Sequence, residues 1–284
     1  MAWVKTRYTP DSIKHIRAYF LRCLNSHKFS SPIKLAEYIQ SHATGGHNIT
    51  ITARQWLHFC ELFDKLPADI ISKYRSVLKI DNSKKDYFVP SDEEVIANYD
   101  KIRGHDSLRV IFLVLATAGI RYLECLDFLK DFDVNRFRRH NSFVSYNVSH
   151  LRHTKNCNNI YLPYFVFEKL RQETRGPDTL RTSYYKAKTT FSFKYLRKWN
   201  YNFLIYNNVP ESVADFIQGR SSKSVSANHY LAKSQQAEFW YAKIVHEMNN
   251  IFSDNSRKSK NQLQIEETPM LLKKEQTCDY SEVN

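Results

Sequence analysis

Lys194 and Arg197 lie three residues apart in the segment 193–199, so a helix there presents both side chains on one face. Two neighbouring cations on a helix repel each other unless an anion bridges them. Arginine can hold a phosphate with two parallel hydrogen bonds, and lysine can give a proton to a leaving oxygen. The pair therefore predicts binding of a phosphate group, acid catalysis on it, or both.

Arg121 follows the turn residue Gly119 and begins a predicted helix, where its positive charge opposes the helix dipole. A positive charge at this unfavourable position indicates that Arg121 binds an anion. The alternative, which the residues alone favour, is a surface arginine paired with Glu124 one turn later. Lys155 also has two interpretations, because a lysine at the tip of a predicted hairpin either enters a DNA groove or is simply solvated.

Gly219 has the character of a helix C-cap, which leaves Arg220 at the helix exit. Tyr230 follows ten residues later, beside His229. A phenol is a poor nucleophile at neutral pH unless cations stabilise its phenolate. Tyr230 is therefore a candidate nucleophile only if the four candidate cations converge on it, namely Arg121, Lys194, Arg197 and Arg220.

His150, His153 and Cys157 form a partial zinc-site pattern. A closed structural zinc site needs four ligands, and no second cluster with ligand spacing follows. The three residues also straddle a predicted turn. We therefore expect no metal.

Helix-start signals divide the N-terminal part of the chain into short helices. They begin at Thr9-Pro10-Asp11, at Ser31-Pro32 (ending near Gly45-Gly46), at Thr52 and at Pro67. These predict a compact helical domain over residues 1–80. The polar segment 81–90 ends in proline and is interpreted as a linker.

A second domain is predicted over residues 91–250, beginning with a capping box from Ser91 to Glu94. Apolar periodicity then predicts helices and two strands. The helices are expected at 107–117, 121–129, 164–172, 192–206, 210–217 and 234–250, and the strands at 142–148 and 159–163. The fold class is therefore α+β and mostly helical, with a small antiparallel β-sheet, and the tail 251–284 is expected to be flexible.

The chain has 42 Lys+Arg against 29 Asp+Glu, a net charge of +13. Residues 1–90 carry +7, residues 91–250 carry +7, and the tail carries −1. Basic surface on both domains favours a polyanionic partner, although solubility alone could explain it.

Hydrophobic content of 42% excludes a disordered basic tail, and the longest apolar run, 110–118, is too short to span a bilayer. Five cysteines without a CxxC pair and a polar N-terminus predict reduced thiols in a cytoplasmic, nucleoid-associated protein.

Taken in chain order, these motifs resemble those of the tyrosine recombinase (phage integrase) family, over about residues 91–250. The segment 118–124 is similar to the box that carries the family's first arginine, and Lys155 falls at its β-hairpin lysine. The family's H-x-x-R box corresponds to Lys194 and Arg197, with lysine in place of histidine. Residues 218–220 fall on the leucine-glycine-histidine box, and Tyr230 falls on the nucleophile. The Lys-x-x-Arg form resembles the integrases of archaeal spindle-shaped viruses and related plasmids.

The resemblance implies site-specific DNA recombination through a 3′-phosphotyrosyl intermediate. Tyr230 would attack the phosphate, the three arginines would stabilise its charge, and Lys155 or Lys194 would protonate the 5′-oxygen. Glu124 and His229 would support them, and neither ATP nor Mg²⁺ would be required. The implied partners are double-stranded DNA attachment sites and, on DNA, three further copies of the chain, with a monomer or dimer free in solution and no membrane.

Two alternatives remain open on the sequence. A type IB topoisomerase-like enzyme shares the tyrosine and the cations but relaxes supercoils without exchanging strands. A DNA-binding protein with vestigial catalytic residues would bind DNA in a salt-sensitive way and form no covalent adduct.

Overall fold

The computed structural model describes residues 8–80, 86–148, 158–220 and 232–252. The chain divides into two compact units, residues 1–86 and 87–284. Several predicted features lie outside the described residues. They are Lys155, His229 and Tyr230, the zinc pattern of His150, His153 and Cys157, residues 81–85 of the expected linker, and the tail after Phe252.

The first unit is helical. It contains α1 (Pro10–Tyr19, continued by a π-helical turn, Phe20–Leu24), α2 (Pro32–Gln40), α3 (Gly46–Leu62) and α4 (Ala68–Val77). As predicted, Thr9 and Ser31 cap α1 and α2 by accepting hydrogen bonds from backbone N–H groups of the first turn. The core is a small apolar cluster formed by Leu35, Ala53, Leu57, Cys60, Ile71 and Leu78.

Two predicted boundaries in this unit were wrong. Helix α2 ends at Gln40 instead of continuing to Gly45, and α3 begins at Gly46 instead of Thr52. Gly45 has φ +88°, a left-handed conformation that starts the new helix direction. Thr52 lies inside α3, where its hydroxyl donates to the Asn48 carbonyl oxygen at 2.8 Å. The hydroxyl therefore has a hydrogen-bond partner within the helix and does not act as an N-cap.

The second unit combines helices with one small antiparallel sheet, so the predicted fold class is confirmed. Its strands are β1 (Phe137–Arg139), β2 (Phe143–Asn147) and β3 (Asn159–Pro163), in the order β1-β2-β3. Its helices are α5 (Asp92–Lys101), α6 (Asp106–Ala118), α7 (Tyr122–Asp131), α8 (Tyr164–Phe167), α9 (Pro177–Lys186), α10 (Lys194–Tyr206), α11 (Glu211–Ile217) and α12 (Lys233–Phe252).

Helix α6 is the centre of the second unit. Every residue from 110 to 118 is buried, which confirms the predicted core helix. Helix α10 and strand β3 pack against it, and α7 follows it directly. Elements that carry candidate site residues, α7 and α10, are therefore held against the most buried segment of the unit.

The sequence patterns missed two elements and misjudged the length of a third. Strand β1 has three residues and pairs with β2, with Phe137 opposite Tyr146. Helix α9 is mostly polar and buries only Leu180 and Tyr184, so its apolar period is weak. Helix α8 ends at Phe167, well before the predicted residue 172.

Among the described helices, none combines the length and apolar character needed to cross a membrane. The described cysteines Cys23, Cys60 and Cys125 are buried and free. Burial raises the pKa of the Cys60 and Cys125 thiols, which keeps both protonated and unreactive at neutral pH.

Candidate active site

Arg121 lies directly after a sharp turn between α6 and α7. Gly119 makes this turn with φ +63°, and Arg121 occupies the N-cap position of α7. Glu124 caps the start of α7 from within the first turn, because its carboxylate accepts from the Arg121 backbone N–H at 2.9 Å and from Arg121 Nη1 at 2.7 Å. The Glu124 side chain is only 6% exposed. The ion pair predicted as an alternative therefore exists, and it fixes the arginine instead of leaving it on an open surface.

The same Nη1 of Arg121 donates to the Gly219 carbonyl oxygen at 3.1 Å, across 98 positions of sequence. This carbonyl follows the C-terminal end of α11. Carbonyl groups at helix C-termini carry partial negative charge and favour cations. The unfavourable position of Arg121 at the start of α7 is thus balanced by Glu124 and by the end of α11.

Arg197 joins the ends of two helices. Its Nη1 donates to the Gly119 carbonyl oxygen at 2.9 Å, after the end of α6, and to the Gln218 carbonyl oxygen at 2.7 Å, after the end of α11. Both helices present orphan carbonyls at this point, and one guanidinium group serves both. Arg197 therefore holds the turn before Arg121 next to the turn before Arg220.

Arg220 leaves α11 as predicted. Gly219 has φ +64°, and the Arg220 backbone N–H closes the helix end on the Asp215 carbonyl oxygen at 2.8 Å. Its Nε donates to Gln218 Oε1 at 2.9 Å and lies 3.8 Å from Asp215 Oδ1. Its guanidinium group stacks over the Tyr201 ring, 4.2 Å from the centroid. Three contacts of different kinds thus orient this side chain.

Three predicted site residues therefore meet around one turn, formed by Gln218 and Gly219. They are Arg121, Arg197 and Arg220, which come from three separate segments of the chain. Lys194 is the first residue of α10, one turn before Arg197, and its ammonium group lies over the Tyr195 ring at 4.5 Å. Lys155, His229 and Tyr230 lie outside the described residues, so their places in the site stay predictions.

Two buried amides in this site were missed as site residues. Asn200 and Gln218 are both 0% exposed and bond to each other beneath the arginines. One signal for Asn200 was available, because a polar residue three positions after Arg197 falls on the buried face of an aromatic helix. Gln218 lay inside a recognised motif, but nothing in the motif indicated that its side chain is buried.

Tyr201 is a tyrosine that contacts the arginine cluster. Burial, followed by the charges of Asp215 and Glu211, raises the pKa of Tyr201 to about 12, against the lowering effect of Arg220. The phenol is therefore neutral at pH 7 and a weak nucleophile. Proximity to one arginine is not sufficient to activate a tyrosine in this site.

The described residues contain no group of three His, Cys, Asp or Glu side chains placed to bind a metal ion. Arg121, Arg197 and Arg220 bring guanidinium groups to this site. Fixed cations of this kind can stabilise an oxyanion or a phosphate in the transition state, because they are oriented before the reaction begins.

Comparisons with known proteins identify the family and the fold. Residues 87–247 match the archaeal phage integrase family. The structure is similar to that of a lambda integrase tetramer bound to a Holliday junction, with TM-score 0.60 and 11% identity over 79% of this chain and 75% of that chain. It is also similar to a lambda integrase(75-356) dimer bound to a COC′ core site, with TM-score 0.56 and 13% identity over 78% and 92%. No curated protein sequence matches the chain.

Proposed function

The chain belongs to the archaeal phage integrase family and is a site-specific DNA recombinase, and we propose that it cuts and rejoins DNA through a covalent bond between Tyr230 and a 3′-phosphate. The observation that carries the proposal is the meeting of Arg121, Arg197 and Arg220 at one turn. Carbonyl oxygens and the carboxylates of Glu124 and Asp215 orient these arginines, and the cluster presents fixed positive charge from three separate segments at one place. A single phosphate of a DNA backbone is the anion that fits this set.

In the cleavage step, the Tyr230 Oη–P bond forms and the P–O5′ bond breaks. The three arginines bind the non-bridging oxygens of the pentacovalent phosphorus and stabilise its extra negative charge. Lys155, or Lys194, gives a proton to the leaving 5′-oxygen, and the phenol proton passes to solvent or to His229. Attack by the 5′-hydroxyl of another strand reverses each step and completes the exchange.

Glu124 supports this chemistry by orienting Arg121. Its carboxylate holds both the backbone and the Nη1 of that arginine, while 32% of the arginine side chain stays exposed to a ligand. A buried carboxylate holds the phosphate-binding arginine in one orientation before DNA binds. The arginine side chain therefore loses less conformational entropy on binding. Glu124 is thus a positioning residue in the proposal.

The assembly on DNA is the second part of the proposal. The similar lambda integrase structures are a tetramer on a Holliday junction and a dimer on a core site. We infer that this chain also assembles as a homotetramer on DNA and is a monomer or dimer when free. Sedimentation velocity with and without a four-way junction tests this, and a single protomer on a saturated junction would contradict it.

The test of cleavage uses nicked duplexes that have been selected from a random-sequence library by their binding to the protein, and the short 5′-hydroxyl strand diffuses away and traps the adduct. Wild type is expected to form a phenol-extractable covalent complex, also in EDTA, and Tyr230→Phe none. Tyr206→Phe is the matched control, because Tyr206 is 82% exposed at the far end of α10. An adduct formed by Tyr230→Phe, or a strict requirement for a divalent metal, would overturn the mechanism.

A further inference from the structure

Asn200 and Gln218 form a continuous hydrogen-bonded pair beneath the three arginines. Gln218 Nε2 donates to Asn200 Oδ1 at 2.7 Å, and both side chains are fully buried. The second N–H of the Gln218 amide donates to the Arg197 carbonyl oxygen at 3.0 Å, and its Oε1 accepts from Arg220 Nε at 2.9 Å. Gln218 therefore contacts the segments of two arginines at once.

Asn200 extends the chain of hydrogen bonds to the end of α6. Its Nδ2 donates to the Ala116 and Thr117 carbonyl oxygens, at 2.8 and 3.2 Å. These carbonyls lie in the last turn of α6, where intrahelical donors are lacking. The turn at Gly119 and then Arg121 follow directly. The pair thus links the turn before Arg121, the helix of Arg197 and the side chain of Arg220.

The direction of both amides is set by their partners. If the Gln218 amide were reversed, its NH₂ would face the N–H of Arg220 Nε, and its oxygen would face the oxygens of Asn200 and Arg197. A reversed Asn200 would turn its oxygen toward two carbonyl oxygens. Every donor of both amides is used, so the arrangement has one orientation.

We propose that Asn200 and Gln218 are positioning residues for DNA cleavage, which hold Arg197 and Arg220 and the turn before Arg121 in one fixed arrangement. This inference rests on the proposed function of the three arginines. The pair touches no DNA itself, and it acts by limiting how far the guanidinium groups can move apart. Displacements of about 1 Å at a reacting centre can reduce rates by about 100-fold.

The first test separates cleavage from binding. Gln218→Met keeps a side chain of similar volume and removes the hydrogen bonds of the Gln218 amide. Asn200→Leu likewise keeps the volume and removes the hydrogen bonds of the Asn200 amide. We expect single-turnover cleavage to fall about 100-fold in each variant. The dissociation constant for DNA is expected to change less than about threefold, because backbone contacts elsewhere supply most of the affinity.

The matched control is Asn207→Leu. Asn207 is the C-cap residue of α10, at the end remote from the arginines, and its amide also donates to a backbone carbonyl, that of Phe203, at 2.8 Å. This variant is expected to lose stability and to cleave at the wild-type rate. All variants are compared at a temperature where circular dichroism shows them folded. A control that slows cleavage as much as Gln218→Met would overturn the proposal.

A second test asks whether Gln218 acts through Arg220. Gln218→Met introduced into Arg220→Ala is expected to reduce cleavage by no more than about tenfold further, because one of the arginines that Gln218 positions is already gone while its bonds to the Arg197 carbonyl and to Asn200 remain to be lost. Effects that multiply fully would show that Gln218 acts independently of Arg220, which would contradict the proposal.

A third test does not depend on cleavage. The Nε–H resonance of Arg220, assigned by its loss in Arg220→Lys, is expected to exchange slowly with water in wild type and in Asn207→Leu. It is expected to exchange rapidly in Gln218→Met, which removes the acceptor. Slow exchange in a wild type that forms no DNA adduct would refute the proposed function and leave the arrangement intact. Rapid exchange in a wild type that does cleave would refute the positioning role.

Discussion

Gly119 is a position where the addition of one carbon atom tests the geometry of the whole site. The residue has φ +63°, and a Cβ built there collides with Asn200 Oδ1 and lies 2.7 Å from Gln218 Nε2. Both of these atoms belong to buried amides in a satisfied network. Gly119→Ala therefore strains the backbone and pushes the two amides away from the turn.

The two effects give a destabilisation of about 2–5 kcal/mol. A left-handed backbone conformation costs an alanine about 1–2 kcal/mol relative to glycine. Overpacking of a rigid site adds about 1–3 kcal/mol, because Asn200 Oδ1 and Gln218 Nε2 are held by hydrogen bonds and are not free ends of flexible side chains. Cleavage is expected to fall as well, because the Gly119 carbonyl is a partner of Arg197.

Native-state hydrogen exchange of the α6 core amides measures this loss, because those amides exchange only when the second unit opens. Gly104→Ala is the matched control, since no atom lies within 4 Å of the added carbon and its φ is ordinary. Such a substitution is expected to be neutral or to stabilise by about 0.4–1 kcal/mol. A loss below about 1 kcal/mol in Gly119→Ala would refute the close packing of the amides on the turn.

Three further variants test single contacts. Glu124→Gln is expected to reduce cleavage about 10- to 100-fold, measured by single-turnover trapping, because Arg121 loses a charged partner and its orientation. In the same assay Arg197→Lys is expected to lose about 100-fold, because one ammonium group cannot hold two carbonyls in the geometry of a guanidinium. Arg175 lowers the pKa of Glu173 to about 2, from an ordinary 4.5, so the stability this pair contributes is full above 4.5 and is lost as the pH falls toward 2. Glu173→Gln is therefore expected to flatten the acid side of the stability curve, measured by urea unfolding between pH 2 and 6.

Each of these expectations has a control and a contrary result. Arg171→Lys alters an exposed arginine paired with Asp106 and is expected to cleave normally. Wild-type cleavage in Glu124→Gln or in Arg197→Lys would show that the observed contacts do not orient the reacting groups. An acid decline that is as steep in Glu173→Gln as in wild type would assign the pH dependence to other carboxylates.

Local signals predicted the helix ends that carry the arginines. Gly119 and Gly219 both adopt positive φ, and a glycine before a change of direction is readable in a sequence. The same holds for the capping box at Ser91 and Glu94, which the structure confirms. These features depend only on residues within one helical turn.

Features set by distant residues could not be predicted in this way. Strand β1 has only three residues, and it is a strand because it pairs with the edge of β2. The amide pair joins Asn200 to carbonyls 84 and 83 positions away, and Arg121 reaches Gly219 across 98 positions. No periodicity or spacing encodes such contacts. The resemblance to a known family predicted that the three arginines act together on one phosphate. It did not indicate the two amides that hold them.

The most direct test of the central claim is to identify the tyrosine that becomes joined to DNA. The chain has 18 tyrosines, and Tyr201 touches Arg220 while its pKa of about 12 keeps it neutral. Trapped complexes would be digested with protease and nuclease and the nucleotide-bearing peptide sequenced by mass spectrometry. We predict a 3′-phosphotyrosyl bond at Tyr230. A bond at Tyr201 or at any other residue, or a bond to a 5′-phosphate, would contradict the proposal that these arginines activate Tyr230.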